Sequence, residues 1–231
     1  MKSTLTKYLV EFSSLKLTRP ISDKVRWLEI IGVVLTALGK FIVMDFLNWR
    51  LPFVIVAILS WSIYVCYRYK KDQLVLKDWG FRLDNFKAVF KMMMPFTALS
   101  VFSFFIIGYV QGTINLSWHI LPLLITYPIW GTIQQFLTIG LIAGNLNTLR
   151  HVKLSKISVI LITAVLFSLV HYPINWLMIG TFVLGLVYGY IYLKSKNLYV
   201  LGLLHGWLGA LFYYTVVNQD PFADVFLKWF N

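Results

Sequence analysis

Carboxylates are what this chain has least of. Nine Asp and Glu stand against 21 Lys and Arg in 231 residues, and none lies between Asp84 and Asp220. The long central stretch therefore offers no pair of membrane aspartates, which excludes aspartyl-protease chemistry there. Cysteine is nearly absent too. With Cys66 alone, an internal disulfide and any zinc site built on paired cysteines are excluded. Charge of either sign is scarce, at 13% of residues against roughly 25% in a soluble domain. What fills the space is apolar: 59% hydrophobic residues and a mean hydropathy of +0.74. These proportions specify an all-α polytopic membrane protein whose first partner is the lipid bilayer. The net charge of +12 then reads as orientation in that bilayer, with no nucleic-acid partner implied.

A hydrocarbon core of about 30 Å asks for roughly 20 apolar residues per helix. Seven stretches answer: Trp27–Leu47, Leu51–Tyr67, Ala88–Val110, Trp118–Leu146, Ile157–Tyr172, Asn175–Leu193 and Leu198–Val217. Pro122 and Pro128 predict a kink or a partly re-entrant start in the fourth. Residues 1–26 read as a basic amphipathic surface segment, not a cleavable leader, and residues 218–231, with Phe222, Phe226, Trp229 and Phe230, as an interfacial tail. The domain order expected is thus 1–26, a helical domain over 27–217, and 218–231. With the N-terminus inside, seventeen Lys and Arg fall in inner segments and two, Arg50 and Lys228, in outer ones. That asymmetry predicts a cytoplasmic N-terminus in a cell membrane of bacterial type.

Polar groups buried in hydrocarbon cost several kcal/mol unless partnered, so they lean towards function. Three places stand out: Gln134-Gln135 in GTIQQFLTIG, His171 in LFSLVHYP and His205 in LGLLHGWLG. At 1.5 Å of rise per residue, all three lie roughly 10–20 Å below the inner surface. Side chains from three helices at one depth can converge on one intramembrane cavity. In the first span, Glu29 and Asp45 sit near the ends, where snorkelling is the ordinary account, and Lys40 sits deeper.

The order of a doublet, then FxxxH, then a final histidine resembles the CAAX prenyl protease and bacteriocin-processing (CPBP) family of intramembrane endopeptidases. The resemblance runs from about Trp79 to Gly209 and includes the turn Trp79-Gly80-Phe81. Of the family's motifs EExxxR, FxxxH and HxxxN, the second is intact as Phe167-Ser168-Leu169-Val170-His171. At the first stand Gln134, Gln135 and Ile139, followed by Gly140; at the third, His205 and Gly209. The stretch His171-Tyr172-Pro173-Ile174-Asn175 is similar to a branch that carries a QQ doublet.

The resemblance implies an endopeptidase acting on a peptide or membrane-anchored substrate, with Gln134, Gln135, His171 and His205 as its site. In the family, the first glutamate and the FxxxH histidine hold and deprotonate a water, and the later histidine and asparagine stabilise the oxyanion. A carboxamide can accept a hydrogen bond from that water but cannot take its proton, which leaves His171 as the base. A catalytic zinc wants about three ligands; His119 and His151 lie far from the other two histidines, so neither metal nor cofactor is expected. Ser168, Thr132 and Thr138 read as interhelical or back-bonding hydroxyls. The runner-up is an inactive relative that binds peptides or confers bacteriocin immunity. A small transporter ranks third, for want of mid-depth charge and paired repeats.

Overall fold

The computed structural model describes residues 21–227. The basic stretch up to Pro20, the side chains of Val225 and Phe226, and residues 228–231, with Trp229 and Phe230, lie outside the described residues. Among the latter, every regular element is helical: α1 Asp23–Phe46, α2 Arg50–Lys71, α3 Val75–Trp79, α4 Phe86–Gln111, α5 Ile120–Leu146, α6 Lys156–Leu169, α7 Asn175–Ser195 and α8 Leu198–Val217, followed by a short π-helical turn Ala223–Leu227. Six of these are long and apolar enough to cross a membrane, and α6 is a shorter apolar helix of 14 residues, about 21 Å.

Local chemistry sets the ends. Ser22, Ser155 and Asn197 cap α1, α6 and α8 by accepting from the amides of Val25, Ser158 and Val200. Gly80 closes α3 and Gly112 closes α4, each at a positive φ of 102° and 66° that a side chain disfavours. Pro122 and Pro128 leave α5 helical throughout, and its departure from regularity comes later, as a π-helical stretch over Phe136–Ala143. The fifth span stops three residues sooner than its apolar pattern predicts. Backbone bonds from His171 to Ser168, Tyr172 to Leu169 and Ile174 to His171 roll the chain into a tight turn, so His171 stands in the α6–α7 turn and not on a helix.

Burial grades the bundle. Two thirds of the apolar window of α8 is buried (67%) and none of that of α2 (0%), so α8 is the axis and α2 faces lipid. Around α8 pack α5 and α4, while α6 pairs with α7 and both lean on the π-helical part of α5. The turn Trp79-Gly80-Phe81 plugs the end where α7 and α8 meet. Trp79 and Phe81 rest on the Phe136 ring, the Tyr192 hydroxyl donates to Trp79 O, and Leu198 N donates to Gly80 O.

Glu29 departs from its expected place. It is 3% exposed and does not snorkel: its carboxylate accepts from Tyr64 Oη at 2.5 Å, from Arg68 of α2 and from Asn145 Nδ2 of α5 at 2.6 Å. Arg26 extends the cluster to Asn145 and Thr148. Burial makes a lone carboxylate untenable, so the sequence's one early glutamate in an apolar helix becomes the joint between the α1–α2 hairpin and the core. At the other end of the bundle, Asp220 accepts from His119 Nδ1 at 2.5 Å and from Tyr214 Oη at 2.6 Å, and Phe222 lies against the rings of Trp118 and His119. This start of the tail is therefore packed on the protein.

Candidate functional site

The site begins with a close crossing. A Cβ on Gly202 would collide with Thr132, and one on Gly206 with the backbone of Pro128, so α8 can approach α5 only because these two positions carry no side chain. The consequence is a hydrogen bond that the primary sequence spaces 71 residues apart: His205 Nε2 to Gln134 Oε1, 2.9 Å. A carbonyl oxygen only accepts, so His205 carries its proton on Nε2. Gln134 keeps its NH₂ and a second carbonyl lone pair for something else.

Phe167 ties the second histidine to the first. Its buried ring lies 5.2 Å from the His171 ring and 5.4 Å from the His205 ring. The imidazole of His171 bonds back through Nδ1 to Phe167 O at 2.8 Å, which by the same reasoning places its proton on Nδ1. The Nε2 lone pair of His171 is then the basic atom. In FxxxH, the phenylalanine thus supplies both the spacer ring and the carbonyl that selects the tautomer.

Gln135 stands elsewhere. Fully buried, it finds no protein partner for either atom of its carboxamide, and His205 Nδ1 and the Tyr188 hydroxyl are likewise unpartnered. A buried polar atom left without any partner costs about 1–3 kcal/mol, so each of these groups calls for an explanation beyond packing. Tyr188 carries no motif of its own; the trace it leaves in the sequence is its place one turn before Tyr192, beside Gly185 and Gly189. The structure thus joins Gln134 to His205 and His205 to His171, while Gln135 is in the same turn of α5 without bonding either histidine.

The motif departures also have addresses. Ile139 is fully buried in the core, where a guanidinium would find apolar neighbours. A Cβ on Gly209 would meet nothing within 4 Å, so this position has room for a larger side chain. Thr132 and Thr138 bond back to Pro128 O and Gln134 O, and Ser168 donates to Met178 O across to α7. Among the described residues no three of His, Cys, Asp or Glu gather as a metal-binding group.

Residues 113–211 match the family model described as type II CAAX prenyl endopeptidase Rce1-like. The matched segment contains Gln134, Gln135, His171 and His205 and ends within α8. No curated protein and no solved structure matches the chain.

Proposed function

We propose that the chain, whose residues 113–211 match a type II CAAX prenyl endopeptidase-like family model, is an intramembrane endopeptidase of the CAAX protease-like (CPBP) kind and hydrolyses a peptide bond in a membrane-anchored substrate with His171 as general base. The observation that carries this is the run Gln134–His205–Phe167–His171, one carboxamide and two imidazoles linked by direct contacts, the imidazoles through a phenyl ring, between α5, α8, α6 and the α6–α7 turn. His171 Nε2 takes a proton from water as the water oxygen adds to the scissile carbonyl. The same proton passes to the departing amine as the carbon–nitrogen bond breaks. Gln134 holds the water or the oxyanion through its free lone pair or its NH₂, and His205 fixes which way that carboxamide faces. Prenylation of the substrate is not required by any of these contacts.

A second reading has its own observation. With two carboxamides where the family carries carboxylates, the site can hold a peptide carbonyl without activating water, as an inactive relative would. The deciding experiment uses the purified protein in liposomes with a library of membrane-anchored peptides, read by mass spectrometry. Cleavage that is lost in His171→Ala and only reduced in Gln134→Ala is the expected result. Undiminished cleavage in His171→Ala overturns the mechanism, and retained binding without cleavage by the unmodified protein establishes the second reading.

A further inference from the structure

A lysine in the apolar body of a membrane helix is costly and normally finds a partner. Lys40, in the outer part of α1, has two polar partners besides the Phe41 ring, whose centroid is 4.4 Å from its Nζ. Its Nζ lies 2.9 Å from Asp45 Oδ2 on its own helix and 3.2 Å from the carbonyl oxygen of Tyr172 on the α6–α7 turn. The first contact is enough to neutralise the charge. The second is not needed for that, and it falls on the residue directly after His171.

The turn explains why the contact counts. Three backbone bonds hold it from the α6 side, those of His171, Tyr172 and Ile174. Yet Tyr172 and Pro173 in it are exposed. From the α1 side the Tyr172 carbonyl is held by Lys40. A snorkelling lysine would turn to the headgroups; this one, with 26% of its side chain exposed, turns to a backbone carbonyl of another element. Asp45 binds the same ammonium and so restrains its direction. Lys40 and Asp45 also lie outside residues 113–211, so the matched family segment assigns them nothing.

We propose that Lys40, oriented by Asp45, is a positioning residue for His171: by binding the Tyr172 carbonyl it sets the α6–α7 turn so that Nε2 of His171 faces the scissile bond. This rests on the reading of His171 as base, and it adds to the site a device from the first helix of the chain. The device also brings a carboxylate within two contacts of a site whose own helices have none.

Two measurements separate this inference from that reading. The first needs no substrate: the rate at which diethyl pyrocarbonate modifies His171, followed by mass spectrometry on the full chain in liposomes, reports how the imidazole is presented. Lys40→Met is expected to change that rate at least threefold and Lys40→Arg, which retains a donor and the charge, to restore it to within a factor of two. The second, on a cleaved peptide, expects Lys40→Met to lower kcat at least tenfold with KM within twofold, and Asp45→Asn to fall between it and the unmodified protein. An unchanged modification rate in Lys40→Met overturns the inference whether or not any peptide is cleaved. Equal loss in the methionine and arginine variants overturns it too, since packing alone would then account for the effect.

Discussion

A single atom separates the side chain at position 134 from the carboxylate that the family's chemistry uses. Glutamine and glutamate have nearly the same shape, so the 2.9 Å contact with His205 can survive Gln134→Glu, while a proton acceptor is gained. Turnover in that variant is expected to rise at least about tenfold, still below the roughly 10²–10⁴-fold that a positioned general base contributes, measured as kcat on a cleaved peptide. An unchanged rate would remove the water from Gln134. Asp220 gives a second residue-scale expectation. Burial raises its carboxyl, but hydrogen bonds from Tyr214, His119 and the Ala223 amide outweigh this and hold it below the ordinary carboxylate range. A carboxyl depressed by folding stabilises the fold above its unfolded pKa and loses that contribution as pH falls through the folded value. Amide exchange at Ala223, corrected for its intrinsic pH dependence, should accelerate on acidification below the ordinary carboxylate range. In Asp220→Asn it should already be fast at neutral pH.

Two joints at the scale of elements hold the site. One is the α5–α8 crossing, where an added side chain has nowhere to go. Gly202→Val is expected to destabilise the protein by about 1–3 kcal/mol or more, as overpacking does, and to separate Gln134 from His205, seen as a lower Tm together with a changed imidazole signal in NMR. The other is the Glu29 cluster between the α1–α2 hairpin and α5. Removing one member of a buried ion pair costs about 3–5 kcal/mol, so Glu29→Ala should weaken the fold by that order in urea or thermal unfolding. A loss below about 1 kcal/mol would mean that the hairpin is held by apolar contacts instead.

For the whole molecule, the open quantity is direction. The seventeen-to-two distribution of Lys and Arg predicts a cytoplasmic N-terminus, with the segments 68–87, 148–156 and 194–197 on the same side. A membrane-impermeant thiol reagent applied outside intact cells should then reach a cysteine placed at Asn115 and miss one placed at Lys153, with Cys66 replaced. The reverse labelling would invert the molecule and put His171 and Lys40 in the cytoplasmic half.

Composition alone determined that this is an all-helical membrane protein, because a chain with so little charge has only the bilayer as solvent and only internal hydrogen bonds to satisfy its backbone. Spacing of apolar runs located the seven helices, and isolated polar residues in apolar surroundings, Gln134, His171 and His205, marked a candidate site, since an unpartnered polar group there costs several kcal/mol. The end of α6 was not legible: an apolar run continues through Tyr172, and nothing local distinguishes a helix from the turn that three backbone bonds make there. Nor were the partners of Glu29, Lys40 and Asp220 legible, because each bonds a residue more than 100 positions away as well as a nearer one. Pairing at such range is decided by which helices touch, and that was settled by glycines at 202 and 206, whose missing side chains let α8 close on α5.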